Sequence, residues 1–294
     1  MEYEEANDKT NLIKLCLAFM YMAICLIVCT GSISYTNYVV GLDQPNYHPP
    51  LHDILLDHIT IPEYMFICAE VYILILFLIS IVIMALHKCR LVLIRRYIVC
   101  FSTVFLMRGL FLLTTQPTLP YSTTLCPNYK DMDGSEMFGK AFIYVISMGF
   151  SGLGYGSCGD LIFSGHTASI VMVTFFISYY TNLSLSINVI MWVMTTMSCL
   201  FIILSRGHYT LDVFVGFLVS IWIFTTYHAF IKLETLKSEV MNHQSMVQTF
   251  KSLRCLIIFC NFTNIIFEDG STDFDNNFFD LFRQIKRFKP IATI

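Results

Sequence analysis

The chain predicts an all-α integral membrane protein, with six transmembrane helices and a lumen-facing active site. Three observations carry that reading. Hydrophobic residues make up 56% of the chain and charged residues 13%, against about 45–50% and 25% in soluble domains. Six apolar stretches approach the roughly 20 residues that a bilayer core requires. Lys and Arg are spread unevenly over the connections, as the positive-inside rule demands of a multi-pass protein.

In chain order the spans are Ile13–Ser34, Tyr64–Leu86, Tyr97–Leu113, Thr167–Tyr180, Val189–Leu204 and Leu211–Ile231, the fourth and fifth being short enough to extend past these ends. A further apolar stretch, Phe138–Tyr155, is interrupted by Gly149, Gly152 and Gly154 and carries Ser147 and Ser151. It reads as an interfacial or re-entrant helix rather than a crossing. The first span is too long for a signal-peptide core and lacks the usual basic flank, so it stays in the membrane.

Lys88, Arg90, Arg95 and Arg96 crowd the connection between spans two and three, whereas the stretch from Tyr35 to Tyr64 has no Lys or Arg. The former is cytosolic and the latter faces outward. Both termini are then cytosolic, giving a tail over 1–12, a catalytic membrane domain over 13–231 and a second tail over 232–294. The second tail agrees, with Lys232, Lys237, Lys251, Arg254, Arg283, Lys286, Arg287 and Lys289; only Lys130, Lys140 and Arg206 fall on the outer face. A net charge of −3 without a clustered basic face excludes a nucleic-acid partner.

Two polar segments interrupt this apolar pattern: CGDLIFSGHT at Cys158 to Thr167 and HYTLD at His208 to Asp212. Ionisable groups beside hydrophobic runs are expensive and usually functional. The span map puts His166, His208 and Asp212 on the same outer face although they come from separate segments. His208 and Asp212 sit four apart, so one carboxylate can hold one imidazole nitrogen while the other points outward, the base-and-orienter arrangement of nucleophilic catalysis. His166 follows Ser164 and Gly165, a natural helix start whose free N–H groups suit a phosphate. A second histidine there can protonate a leaving alkoxide. His166, His208 and Cys158 show no metal spacing, and no cofactor is expected.

Arg108 lies inside span three, about 9 Å from Thr114 at 1.5 Å per residue. It contacts a lipid phosphate, or else pairs with Asp160 or Glu136, or snorkels toward the interface. The eleven cysteines form no disulfide framework. Cys126 and Cys158, both on the outer side, are candidates for a bridge. The sequons at Asn182 and Asn261 fall on the cytosolic side and should carry no glycan. The acidic and then basic run over 268–289 suits a tail touching anionic lipid, or a solvated charge run.

At these residues the chain resembles the sphingomyelin synthase family of the lipid phosphatase and phosphotransferase superfamily. The family's CGDxxxSGHT stands at Cys158 to Thr167, and its HYxxDV at His208 to Val213. Its PPLPD element appears as Pro49, Pro50, Leu51, His52 and Asp53, and its arginine motif as Arg95, Arg96, Phe105, Arg108 and Thr115, with His52 for proline and Phe105 for tyrosine as departures.

The resemblance implies transfer of a phosphocholine or phosphoethanolamine headgroup from phosphatidylcholine or phosphatidylethanolamine to ceramide, leaving diacylglycerol, in the Golgi, endoplasmic reticulum or plasma membrane. His208, oriented by Asp212, would carry a phosphohistidine, and His166 would protonate the departing diacylglycerol and deprotonate ceramide. Arg108, Glu136, Asp160, Ser164, Gly165 and Tyr209 would contact substrate. Glu136, thirty residues before His166, matches the family's additional Glu, and its bland alternative is an i,i+4 pair with Lys140. That spacing and Phe163 resemble the ethanolamine-using, synthase-related branch. Relatives usually have Asp or Glu just before the second histidine, where this chain has Gly207. A lipid phosphate phosphatase would use the same histidines with water as acceptor, and a membrane receptor or scaffold would use neither.

Overall fold

A computed structural model of the chain describes residues 2–43, 51–59, 64–87, 90–117, 120, 132–150, 160–181 and 183–240. Cys126, Cys158, Asn182, Asn261, Pro49, Pro50 and the tail beyond 240 lie outside the described residues. The described residues hold seven helices and no strand: α1 Glu2–Asp43, α2 Tyr64–Leu86, α3 Arg90–Thr114, α4 Gly134–Ile146, α5 Gly165–Tyr180, α6 Leu185–Leu204 and α7 Thr210–Val240.

Five of them, α1, α2, α3, α6 and α7, are long and apolar enough to cross a membrane. Isoleucine, leucine, valine and phenylalanine dominate all round, as in a span that faces both lipid and neighbouring helices. Inside these helices Ser and Thr hydroxyls bond back to carbonyls one turn earlier, as Ser102 does to Ile98 and Thr225 to Ile221, so the hydroxyls need no water. Accordingly the outer sides of α2 and α6 expose Leu74, Leu78, Ile190 and Val193, a surface suited to acyl chains.

Several boundaries differ from the apolar runs. α3 starts at Arg90, not Tyr97, because Arg95 and Arg96 do not stand in a solvated connection: both are buried within the helix, and Arg96 donates to the Tyr180 hydroxyl at 3.3 Å. α6 starts at Leu185, behind Ser184. α1 and α7 run past their apolar cores, to Glu2 and to Val240 respectively.

α5 occupies the middle of the bundle. Its sixteen residues measure about 24 Å at 1.5 Å per residue, and from His166 to Thr174 every side chain is buried. Ser220 of α7 donates to the Ala168 carbonyl at 3.1 Å, and Thr174 meets Thr195 of α6 at 2.8 Å. Short polar contacts of this kind hold helices together where lipid supplies no hydrophobic drive. On the flank Tyr21 of α1 meets Thr103 of α3 at 3.2 Å, and Tyr72 of α2 donates to the Met191 carbonyl at 3.0 Å.

α4 stops after thirteen residues, about 20 Å long, short of the roughly 30 Å hydrocarbon core. Asp133 caps its start by accepting from the Ser135 N–H, and the turn after it places Met148 and Gly149 at φ 56° and 70°. Ala141 and Val145 seat it against Cys29 and Ile33 of α1.

Candidate active site

The two polar segments meet at one end of α5 and α7. Ser164 caps α5, its hydroxyl accepting from the Thr167 N–H at 3.3 Å, and its backbone N–H donates to the Asp212 carbonyl at 3.1 Å. That bond ties the start of α5 to the start of α7. It brings the His166 and His208 rings to 6.5 Å between centroids.

His208 sits in the turn that leads into α7. Just past the end of α6 Arg206 stands at φ 62°, its N–H returning to the Ile203 carbonyl while that of Gly207 returns to Ile202. Asp212, in the first turn of α7, accepts from the Tyr209 N–H at 3.0 Å, the reach-back half of a capping box. The other half comes from a distant loop. Asp53 accepts from the Thr210 N–H at 2.8 Å and hydroxyl at 2.7 Å, and Tyr209 accepts from the Leu51 N–H at 3.0 Å. Burial pushes the Asp53 carboxyl up, but the Thr210, Leu55 and Leu56 bonds outweigh it and hold its pKa below the usual carboxylate value.

The result fixes His208 with Nδ1 toward Asp212 Oδ2 at 3.7 Å, both side chains buried. This is the spacing expected of the HxxxD pair. It is longer than a hydrogen bond, as catalytic contacts often are before substrate tightens them. Nε2 remains for an electrophile.

Arg108 lies under the start of α5. Its guanidinium pairs with Asp160 at 2.6 Å and donates to the Phe163 carbonyl. A Cβ on Gly165 would fall 2.5 Å from Nη1, so only glycine admits the arginine here. Of the roles open to Arg108 in sequence, the structure shows the ion pair with Asp160. Ser164, Gly165, Tyr209, Asp160 and Arg108 are thus all brought to the two histidines.

Glu136 is not. It stands in the first turn of α4 with its side chain 55% exposed and pairs with Lys140 at 2.8 Å, the i,i+4 contact its spacing allows. The carboxylate that faces His166 is instead Glu70 of α2, Oε1 lying 3.8 Å from Nε2. Sequence reasoning missed it although the signal was present, for Glu70 is the one charged residue in the 23 residues of α2, and an isolated intramembrane charge is a functional candidate by default. One turn earlier on α2, Phe66 packs edge-on against His166 at 5.0 Å and against Gly207, where a Cβ would come within 2.6 Å of the ring. The missing side chain at 207 makes room for that ring. Among the described residues no group of three or more His, Cys, Asp or Glu is disposed to hold a metal ion.

Comparison with known proteins agrees with the motif reading. Residues 157–229, which include His166, His208 and Asp212, match the PAP2 superfamily C-terminal family. The chain is 31% identical over 224 residues to sphingomyelin synthase-related 1 of Caenorhabditis elegans, covering 74% of this chain and 45% of that one. It is 33% identical over 218 residues to sphingomyelin synthase-related protein 1 of Mus musculus, covering 73% and 44%. To phosphatidylcholine:ceramide cholinephosphotransferase 1 of Homo sapiens it is 26% identical over 223 residues, covering 75% and 54%. The chain spans about half the length of these curated relatives.

Proposed function

We propose that this chain, which carries the PAP2 superfamily C-terminal domain and is homologous to sphingomyelin synthase-related and cholinephosphotransferase proteins, is a phospholipid:ceramide phosphotransferase. The observation that carries the proposal is the pair of buried histidines facing each other at 6.5 Å, each with a carboxylate within 4 Å. Such a pair serves the two halves of a phosphodiester exchange, one ring attacking and the other moving the proton.

In the first half, Nε2 of His208 attacks the donor phosphorus. The bond to the diacylglycerol oxygen breaks, and His166 gives that oxygen its proton. In the second half His166 removes the proton of the ceramide primary hydroxyl, whose oxygen attacks phosphorus and breaks the phosphohistidine bond. The proton returned to His166 closes the cycle. Asp212 holds the tautomer and orientation of His208. Arg108, tied to Asp160, supplies positive potential beside the phosphoryl group, with Ser164, Gly165 and Tyr209 shaping the contact surface. Glu136 reaches substrate in this scheme only by leaving Lys140.

α5 serves as the sixth crossing, short because protein rather than lipid surrounds it. The histidine end faces the lumen or exterior of the Golgi, endoplasmic reticulum or plasma membrane. Arg90, at the other end of α3, supports that orientation. Both tails, 1–12 and 232–294, are cytosolic around the catalytic domain over 13–231.

The test supplies labelled ceramide to membranes containing the protein, with phosphatidylcholine or phosphatidylethanolamine as donor. A labelled phosphoceramide is expected, and the donor that yields it names the headgroup. Release of inorganic phosphate from phosphatidic acid with no ceramide product would assign the phosphatase reaction instead, and inactivity in both assays would leave a scaffold.

A further inference from the structure

We infer that Glu70 is a positioning residue for His166, so that the site consists of two histidine–carboxylate dyads placed face to face. The inference rests on the phosphotransfer reading above and assigns a residue that neither motif contains. Glu70 and His166 belong to α2 and α5, which share no sequence element. Their side chains nevertheless meet in the bundle, Oε1 and Nε2 at 3.8 Å, with Glu70 only 6% exposed. The distance matches the 3.7 Å between Asp212 and His208.

Two further features point the same way. A carboxylate inside an apolar span is retained only where something rewards it, and α2 has no other charge. Phe66, one turn away on the same side of α2, seats its ring against His166, so this helix both packs the imidazole and presents a carboxylate to it. Among the described residues Nε2 of His166 has no hydrogen-bond partner, and Glu70 is the carboxylate within 4 Å of it. Holding Nε2–H toward Glu70 leaves Nδ1 for the leaving oxygen and later for the ceramide hydroxyl. It also stabilises the imidazolium that the first half-reaction consumes and the second regenerates.

Among the described residues, the titratable and charged groups around His166 from the other elements are His208 in the turn before α7, with Asp212 behind it, Arg108 of α3 and Asp160 of the segment before α5. Asp160 is paired with Arg108, and Asp212 is turned to His208. Among the described residues Glu70 is the carboxylate that lies within 4 Å of His166.

The experiment compares wild type, Glu70→Gln and Glu70→Asp in the ceramide transfer assay, with the full pH profile of kcat/KM for the donor lipid. His166 acts as the acid in the first half-reaction, so the alkaline limb of that profile reports it. Loss of a carboxylate at this distance lowers the limb by about one pH unit or more, and kcat at neutral pH falls about tenfold, the factor that accompanies one pKa unit. Glu70→Asp keeps the charge and moves the limb back toward wild type. A Glu70→Gln protein with the alkaline limb unmoved overturns the inference, whether its activity is intact or uniformly reduced. Glu70→Gln and Glu70→Asp limbs that coincide overturn it also. An inactive wild type refutes the phosphotransfer reading itself, a result distinct from either.

Discussion

The two ends of the helix bundle bury histidine in opposite ways. At one end His166 and His208 each stand 3.7–3.8 Å from a carboxylate, and among the described residues the nitrogens turned to those carboxylates, His166 Nε2 and His208 Nδ1, make no hydrogen bond. At the other end His228 of α7 is bonded at both nitrogens. Nδ1 donates to the Phe224 carbonyl at 2.7 Å, and Nε2 meets the Tyr180 hydroxyl at 2.7 Å, which Arg96 bonds in turn. Phe224 stacks on the ring at 4.0 Å. Burial alone thus does not mark a catalytic histidine. A ring satisfied at both nitrogens has no lone pair left for chemistry, whereas a ring held loosely by one carboxylate keeps a nitrogen for substrate.

The largest expected effect breaks that contrast directly. His166→Ala lowers the transfer rate by about 10²- to 10⁴-fold, the usual worth of a general acid–base group, with the protein still folded by size-exclusion profile. His228→Ala leaves the rate per folded molecule unchanged and lowers stability by about 1–3 kcal/mol, because the Tyr180 hydroxyl loses its acceptor. Equal losses of rate in both variants would erase the distinction.

The arginines sharpen the contrast. Arg108 is charge-paired, so Asp160→Asn strands a buried guanidinium and costs about 3–5 kcal/mol. Arg96 contacts a neutral phenol, and Tyr180→Phe costs about 1.5–3 kcal/mol, the range for hydrogen bonds to charged groups. Denaturation of the two variants in the same detergent gives the order.

The smallest effect concerns the loop that anchors the histidine end. Asp53→Ala removes a cap from α7 and costs about 1 kcal/mol. The Asp53 carboxyl has its pKa lowered in the folded protein by its bonds from Thr210, Leu55 and Leu56. Its contribution is therefore complete above the ordinary carboxylate value and is lost as pH falls through the lower, folded one. Wild type and Asp53→Asn should accordingly differ in thermal stability at neutral pH and converge in acid. A difference that persisted unchanged into acid would separate the anchor from the carboxylate's charge.

Much of the histidine end was legible in sequence because its parts are local. Ser164, Gly165 and His166 spell a helix start, and His208 and Asp212 lie one turn apart. The remainder depends on tertiary packing. Whether Glu136 or Glu70 faces His166 turns on how α2 and α4 rotate, which spacing along the chain does not encode. Arg95 and Arg96 read as a solvated cytosolic pair, yet α3 carries them inward to Tyr180. Gly207 read as a lost acidic contact, and only the fold shows Phe66 lying against it. Asp53 stood in a recognisable element without a role until the loop was seen to cap α7.

The central claim is that His208 takes the phosphoryl group covalently. Donor lipid labelled in its headgroup phosphate is mixed with the purified protein in the absence of ceramide, and protein-bound label is measured after denaturation. Acid-labile, alkali-stable label is expected on wild type, discharged into a phosphoceramide when ceramide is added, and absent from His208→Ala. A His208→Ala protein that forms the ceramide product at the wild-type rate would contradict the account.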